Sequence, residues 1–361
     1  MIVRDHGYTY NIEVPRFLEG YNDGNWVSLN YDSLSSNGAS SDLSFCKSIQ
    51  ASIGEAFERQ ALINFLNSAQ SRVNFINLTT NKLSNEKMDS FNQIHFMDTC
   101  GLATHISSEL SVENSLKEFI ERQSFIISYL SKTVKYQIKK DKDLSKIIPY
   151  GLEHLKFYEI SIIDSYRVIL GIGSKGPNSI DIGIGAGYTI EDAFKGLLKE
   201  IYPLNRSHGS IPKEIISQVD YLHVFDKLPI KDILKAYSYL EKGRLVSLSE
   251  IFNMQSCFSR REVIRELYKK YDMELKLCTP FSPSNIFCRN NRSKITKIFA
   301  DNWFPSLRIS DYSEEIYSNV ESKMGIKLNR DINLNIGYTI VFMQCCTVIN
   351  EFKYLNLLIL F

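Results

Sequence analysis

The sequence predicts an α/β or α+β protein, and three observations carry that reading. Apolar residues recur at helical spacing in some windows, such as 47–66. Elsewhere they form short β-branched runs bounded by turn residues, as at 156–184. The two patterns alternate along the chain without a long run of either. With 361 residues, 44% of them hydrophobic, the chain is long enough for two domains or one large α/β body with a sizeable core.

Residues 1–45 are polar and aromatic and include a Ser/Asn/Gly-rich stretch, Ser33 to Ser44, that reads as a loop. From Lys47 to Leu66, Ile49, Ile53, Ala56 and Phe57 mark a helix. An Asn- and Ser-rich, loop-like stretch follows to about Ser90, and a short IHFMDT run leads to Gly101. A second helix is expected from about Ser111 to Leu130. Between 131 and 151 lysines crowd a segment that ends in Pro149 and Gly151, which is read as a solvated connector.

Three strands are expected next, at Lys156–Ile163, Arg167–Ile172 and Ile180–Ile184, with Lys175-Gly176-Pro177-Asn178 turning between the last two. A third helix starts near Thr189, which serves as its N-cap, and continues to Ile201, where Pro203 stops it. Beyond lie a mixed segment to 255, a helix at Arg261–Tyr271, strand-like runs near Glu274–Cys278 and Ile295–Phe299, the acidic DYSEE, and an apolar tail from Ile336 to Phe361.

Composition removes several functions. With 42 Lys+Arg against 41 Asp+Glu the net charge is +1, without the basic surplus of a general nucleic-acid or anionic-membrane binder. No apolar run reaches the length of a membrane span and the N-terminus lacks a signal-peptide core, so the cytoplasm is the expected location. Seven cysteines without a Cys-x-x-Cys pair suit free thiols rather than a zinc knuckle.

Some chemistry can be set aside. Gly171-Ile-Gly173-Ser-Lys-Gly176 fits G-x-G-x-x-G, but Pro177 and another strand follow it where a dinucleotide site needs a helix, so a hairpin is the better account. There is no P-loop. Cys100 and His105 could be drawn as a thiolate and its base, yet no third group orients them, and a buried thiol is the simpler reading.

One pattern does carry chemistry. Ser52-Ile-Gly-Glu55-Ala-Phe-Glu58-Arg59-Gln60 and Ser115-Leu-Lys-Glu118-Phe-Ile-Glu121-Arg122-Gln123 share S-x-x-E-x-x-E-R-Q. In each, two carboxylates sit one helical turn apart, where like charges repel by roughly 0.2–0.5 kcal/mol. The faces that bear them continue into Leu62 and Phe65, and into Phe125 and Tyr129, so both helices point carboxylates inward. Buried carboxylates need cations; four of them with two arginines suit hard divalent ions with oxygen ligands and arginine-held phosphate. Capping boxes would explain one copy but do not require E-R-Q seven residues in.

These residues resemble the YcaO-domain family, ATP-using enzymes that activate peptide backbone amides. SIGEAFER is similar to the family's first glutamate-rich helix. Thr99-Cys100-Gly101-Leu102-Ala103 with Glu118-Phe-Ile-Glu121-Arg122 is similar to its second block, and Gly183-Ile-Gly-Ala-Gly187 through Asp192-Ala193 to Glu200 to its third. KSIQASIGEAFER, DTCGLATHIS and KEFIERQS look most like the heterocyclase subunits of thiazole/oxazole-modified microcin synthases, and Thr296-Lys297-Ile298 like a late nucleotide-reaching strand.

The resemblance implies a single large YcaO-like body with mixed sheets and helices around an ATP/Mg site. It comprises an N-terminal segment 1–45, a catalytic domain 46–335 and an atypical tail 336–361. It implies that Glu55, Glu58, Glu118 and Glu121 hold Mg2+, while Lys47, Arg59, Arg122, Glu200 and Lys297 contact ATP. It also implies a peptide cyclodehydratase of bacteriocin biosynthesis with a precursor peptide, a leader-peptide-binding partner protein and an FMN-dependent azoline dehydrogenase. A thioamide- or amidine-forming enzyme, or a non-catalytic scaffold subunit, are the alternatives. The chain departs from the family at His105-Ile106, where Gly-Asn is common, at Pro203, and at its end, Leu360-Phe361, where related heterocyclases carry a Pro-rich terminus.

Overall fold

The computed structural model describes residues 72–87, 94–96, 99–142, 144, 152, 154–176, 179–207, 230–253, 258–279, 294–305 and 312–330, the backbone at 8–12, 21–22, 25–26 and 38–42, and positions 50, 51, 53–55, 58, 61 and 65. Lys47, Arg59, the Ile336–Phe361 tail and the Lys175–Asn178 side chains lie outside the described residues. The chain has mixed α and β structure with two five-stranded sheets, one in each of two compact units. The first unit comprises residues 1–119, 274–307 and 344–361, and the second 120–273 and 308–343.

In the first unit β1 (Tyr8–Ile12) pairs β4 (Gly38–Asp42) and β2 (Tyr21–Asn22) pairs β3 (Asn25–Trp26), both antiparallel, so part of the Ser33–Ser44 stretch is strand rather than loop. The described positions from 50 to 65 are helical and form α1. The main sheet, in the order β6-β5-β13-β14-β7, is antiparallel throughout. It is built from β5 (Arg72–Asn77), β6 (Leu83–Lys87), β7 (Leu102–His105), β13 (Leu275–Cys278) and β14 (Lys294–Ala300).

The Asn/Ser-rich stretch read as loop therefore holds a hairpin. Along β5, Val73 and Phe75 turn inward and the polar residues face solvent; edge strand β6 carries Ser84, Asn85, Glu86 and Lys87. Polar content marks the exposed face of a strand, not its absence. Asn77 makes the turn, its Oδ1 accepting the N–H groups of Thr79 and Thr80, both at 2.9 Å, with Asn81 in the left-handed region at φ 56°. Phe65, Phe75, Phe96, Leu102 and Phe299 pack the core, with Phe75 edge-on to Phe299 at 5.3 Å.

Helix α2 (Ser108–Ser131) begins in the first unit and ends in the second. Ser107 caps it: its carbonyl accepts the Ser111 N–H and its hydroxyl the Leu110 N–H. The expected helix was correct within three residues.

The second unit's sheet runs β11-β10-β9-β8-β12. Its strands are β8 (Tyr136–Ile138), β9 (Lys156–Glu159), β10 (Arg167–Gly176), β11 (Ser179–Gly187) and β12 (Arg244–Val246); only the β8–β12 pair is parallel. β8 lies inside the lysine-rich segment read as connector, because its Lys residues flank rather than fill the strand. The expected β10–β11 hairpin is present, with Gly176 opposite Ser179. Residues 171–176 are strand throughout, which removes the dinucleotide reading.

Helix α3 (Ile190–Ser207) lies on β11 and β10 with Ile190, Ala193, Phe194, Leu197 and Ile201 buried. Thr189 caps it as expected, its Oγ1 accepting the Asp192 N–H at 3.1 Å. Pro203 does not end it; the helix continues to Ser207.

The helix sits close because β11 is glycine-rich. A Cβ on Gly185 would lie 2.2 Å from both the Ala193 carbonyl oxygen and the Leu197 nitrogen. Gly185→Ala is expected to lose about 2–4 kcal/mol in a denaturant melt, since the obstacle is helix backbone.

The described residues of the mixed segment form α4 (Ile230–Ala236), a 3-10 turn (Ser238–Lys242), β12 and α5 (Leu248–Asn253). Helix α6 (Arg260–Tyr271) has a full Ser259/Glu262 capping box. DYSEE opens α7 (Glu314–Met324), capped by Ser313 and closed by Gly325 at φ 66°. Arg330 bonds both Glu314 and Glu321 across its outer face.

Candidate active site

The first unit brings Glu55, Glu58 and Glu118 into electrostatic contact. Glu58, on α1, is pushed well above the usual carboxylate range, chiefly by burial and then by the negative charges of Glu118 and Glu55. The Thr104 N–H, from β7, donates to Glu58 Oε1 at 2.5 Å and partly offsets that push. Among the described residues no three acidic, His or Cys side chains close to metal-ligand spacing, so these carboxylates couple through charge without forming a finished coordination sphere. Their all-oxygen donor set and unfavourable mutual charge fit a hard divalent cation such as Mg2+.

Glu121 and Arg122 follow Glu118 by one turn of α2 and are 5% and 3% exposed. The inward face continues as expected through Phe125 and Tyr129, both fully buried. The capping-box alternative fails for this copy, because Ser115 lies inside the helix. Its hydroxyl donates to the Thr296 carbonyl at 2.9 Å and shares a 2.6 Å contact with Thr296 Oγ1, while Ser111 Oγ lies 2.8 Å from the same hydroxyl. Ser111, Ser115 and Thr296 thus lock α2 to β14. Ser115→Ala is expected to cost about 1–3 kcal/mol, read as a lower denaturant midpoint, since buried partners lose a hydrogen bond.

Gly101 sets the path into β7. It has φ 69°, a Cβ there would meet the Ile298 carbonyl oxygen at 2.1 Å, and its own carbonyl accepts the Ile298 N–H at 2.8 Å. Cys100 is buried, and His105 Nδ1 accepts the Ser107 N–H at 2.9 Å.

Lys297, on β14, is fully buried. Its positive charge adds to burial in lowering the imidazole of His95 to about 3, with Lys276 contributing less, so His95 is neutral. The ring of His95 stacks on Phe299 at 4.6 Å. In the second unit Glu200, near the end of α3, accepts the Ile184 N–H of edge strand β11 at 3.0 Å.

Thr104, Ser111 and His95 were given no role from the sequence, and Thr296 was named only as part of the Thr296-Lys297-Ile298 strand. Thr296 had one signal: it is a hydroxyl in KITKIFA, a strand buried from Ile295 to Ala300.

No protein-family model matches the chain. No curated protein matches it in sequence either. Solved structures do. The YcaO protein of Methanopyrus kandleri, solved with AMPPCP and Mg2+, superposes with a TM-score of 0.55 at 12% identity, over 73% of this chain and 78% of that one. The fold is the YcaO fold. A chain of the E. coli microcin synthetase McbBCD complex with pro-MccB17 bound gives 0.54 at 16% identity, over 82% and 95%. A heterocyclase in complex with substrate and cofactor gives 0.53 at 11%, over 72% of this chain and 36% of that one. At these identities the likeness is one of fold. On that YcaO fold the three sequence blocks fall on α1, on β7 with α2, and on β11 with α3. No helix among the described residues is long and apolar enough to cross a membrane.

Proposed function

We propose that this chain is an ATP- and Mg2+-dependent peptide cyclodehydratase of azole-microcin type. The observation that carries the reading is Glu58, partly buried beside Glu118 and Glu55 and held above its ordinary pKa by desolvation and by their charges. A YcaO fold whose solved neighbours include one with AMPPCP and Mg2+ and one with a pro-microcin supports it.

In this reading residues 46–335 are the catalytic domain, 1–45 an N-terminal segment and 336–361 a tail, and the protein works in the cytoplasm. Glu55, Glu58, Glu118 and Glu121 hold Mg2+, which when bound neutralises the polyphosphate and the transferring phosphoryl group. Lys47, Arg59, Arg122, Glu200 and Lys297 orient the nucleotide. A Cys, Ser or Thr side chain of the precursor attacks the preceding amide carbonyl. The resulting oxyanion takes the γ-phosphoryl group of ATP, and departure of phosphate leaves the thiazoline or oxazoline. The arginines hold phosphate oxygens in place, and the buried setting keeps water from competing as acceptor. A leader-peptide-binding protein presents the precursor, and an FMN-dependent dehydrogenase oxidises the product ring.

The test is a reconstitution with precursor and partner proteins. Each ring removes the mass of one water from the precursor and consumes ATP. Glu118→Gln and Glu121→Gln are expected to slow ring formation by roughly 10²–10³-fold. Unchanged ring formation and ATP turnover in both variants would show that the carboxylates are structural only.

A further inference from the structure

Thr104 meets the Glu58 carboxylate with its backbone, and strand pairing explains that half of the contact. Among the described residues β7 is an edge strand of the first unit's sheet, next to β14. Thr104 stands opposite Ile295 and Ala103 opposite Thr296. The Gly101 carbonyl accepts the Ile298 N–H at 2.8 Å. Antiparallel pairs alternate between bonded and non-bonded, so counting from that bond turns the Thr104 N–H away from β14. An edge N–H in that direction needs an acceptor from outside the sheet. Glu58 Oε1, on α1, supplies it at 2.5 Å.

Capping an edge strand asks nothing of the side chain at 104, yet the threonine hydroxyl addresses the same carboxylate. Its oxygen is enclosed and favours the charged form of Glu58, while making no full hydrogen bond with any described residue. Enclosed hydroxyls are nearly always satisfied, so this one calls for an acceptor. An ionised carboxylate is a stronger acceptor than a protonated one. A cation that keeps Glu58 charged therefore also draws the hydroxyl onto it.

Thr104 is itself well anchored. The Ser111 hydroxyl donates to the neighbouring Ala103 carbonyl at 3.0 Å. Helix α1 passes Thr104 one turn before Glu58: a Cβ added to Gly54 would lie 4.0 Å from the Thr104 Cβ, an ordinary contact distance.

We propose that Thr104 is a positioning residue of the carboxylate site: its N–H and hydroxyl together fix the Glu58 carboxylate in the orientation that shares a divalent cation with Glu55 and Glu118. This inference rests on the metal reading of the cluster. Groups that orient a metal ligand without touching the metal typically account for roughly 10–100-fold of its affinity.

The probe is Mn2+, a hard cation that takes oxygen ligands as Mg2+ does. It is titrated into the full chain without nucleotide, and the free ion is counted by its paramagnetic resonance. Glu58→Gln tests the metal reading and should weaken binding at least about tenfold. Thr104→Val keeps the branched shape and the N–H but lacks the hydroxyl, and should weaken binding by roughly tenfold. Thr104→Ser restores the hydroxyl and should stay within about threefold of wild type. In reconstituted ring formation Thr104→Val should need roughly tenfold more Mg2+, with its rate at saturating Mg2+ within about twofold of wild type. Its urea midpoint without metal should not fall, because the hydroxyl makes no full bond there; a lower midpoint would mark a structural role and overturn the proposal. Undiminished Mn2+ binding by Thr104→Val, or equal losses in the Val and Ser variants, overturns it too, while a weakened Glu58→Gln leaves the metal reading standing. A wild-type chain that binds no Mn2+, or a Glu58→Gln variant that binds it as tightly, overturns that reading and this proposal with it.

Discussion

Glu58→Gln is expected to raise thermal stability while slowing ring formation by orders of magnitude. In the folded chain burial, Glu118 and Glu55 all disfavour the Glu58 carboxylate, so its folded pKa is above the unfolded value. Between those two values the native state holds more protons than the unfolded state, and stability falls as pH rises. At neutral pH the glutamine variant escapes that penalty, on the order of 1 kcal/mol and ~2 °C in the midpoint, measured by scanning calorimetry in Mg2+-free buffer. As pH falls through the window between the folded and the unfolded values the wild-type carboxylate becomes protonated in both states, and the gap between the two proteins should close. Ring formation by the variant should drop by roughly 10²–10³-fold, as for Glu118 and Glu121. A variant less stable than wild type at neutral pH would mean that Glu58 is already balanced by a cationic neighbour, and the reading of the cluster would fail.

Gly101→Ala is expected to have the largest effect on stability. Two penalties coincide there: a left-handed φ of 69° and a Cβ aimed at the Ile298 carbonyl oxygen from 2.1 Å. The first alone costs about 1 kcal/mol, and the second forces β7 away from β14, for a total of about 3–5 kcal/mol. Because β7 carries the Thr104 N–H that donates to Glu58, the damage should reach the site. Urea denaturation should show the lost stability, and the wild-type pH dependence attributed to Glu58 should change with it. Gly325→Ala is the contrast: it shares the left-handed φ, at 66°, but nothing lies within 4 Å of the added methyl, so only the smaller backbone cost is expected.

The sequence by itself settled what depends on neighbours a few residues apart. The span of α2, the β10–β11 hairpin, the Thr189 cap and the inward face running from Glu118 to Tyr129 follow from spacing within single elements. So does the repeated Glu motif, since two carboxylates a turn apart on an apolar face are visible as text. Tertiary structure decided the rest. Strands β5 and β6 looked like loop because their Asn and Ser residues face solvent, and only pairing with β13 shows which side is core. Pro203 looked like a stop, yet α3 runs on to Ser207. Ser115 stood in the sequence only as a member of the repeated motif, with a cap as the alternative, and proved to be a clamp on Thr296, far away in sequence. That Glu58 meets Glu118 and Thr104 also required the fold, because charge and hydrogen bonding act across space while the sequence records only order along the chain.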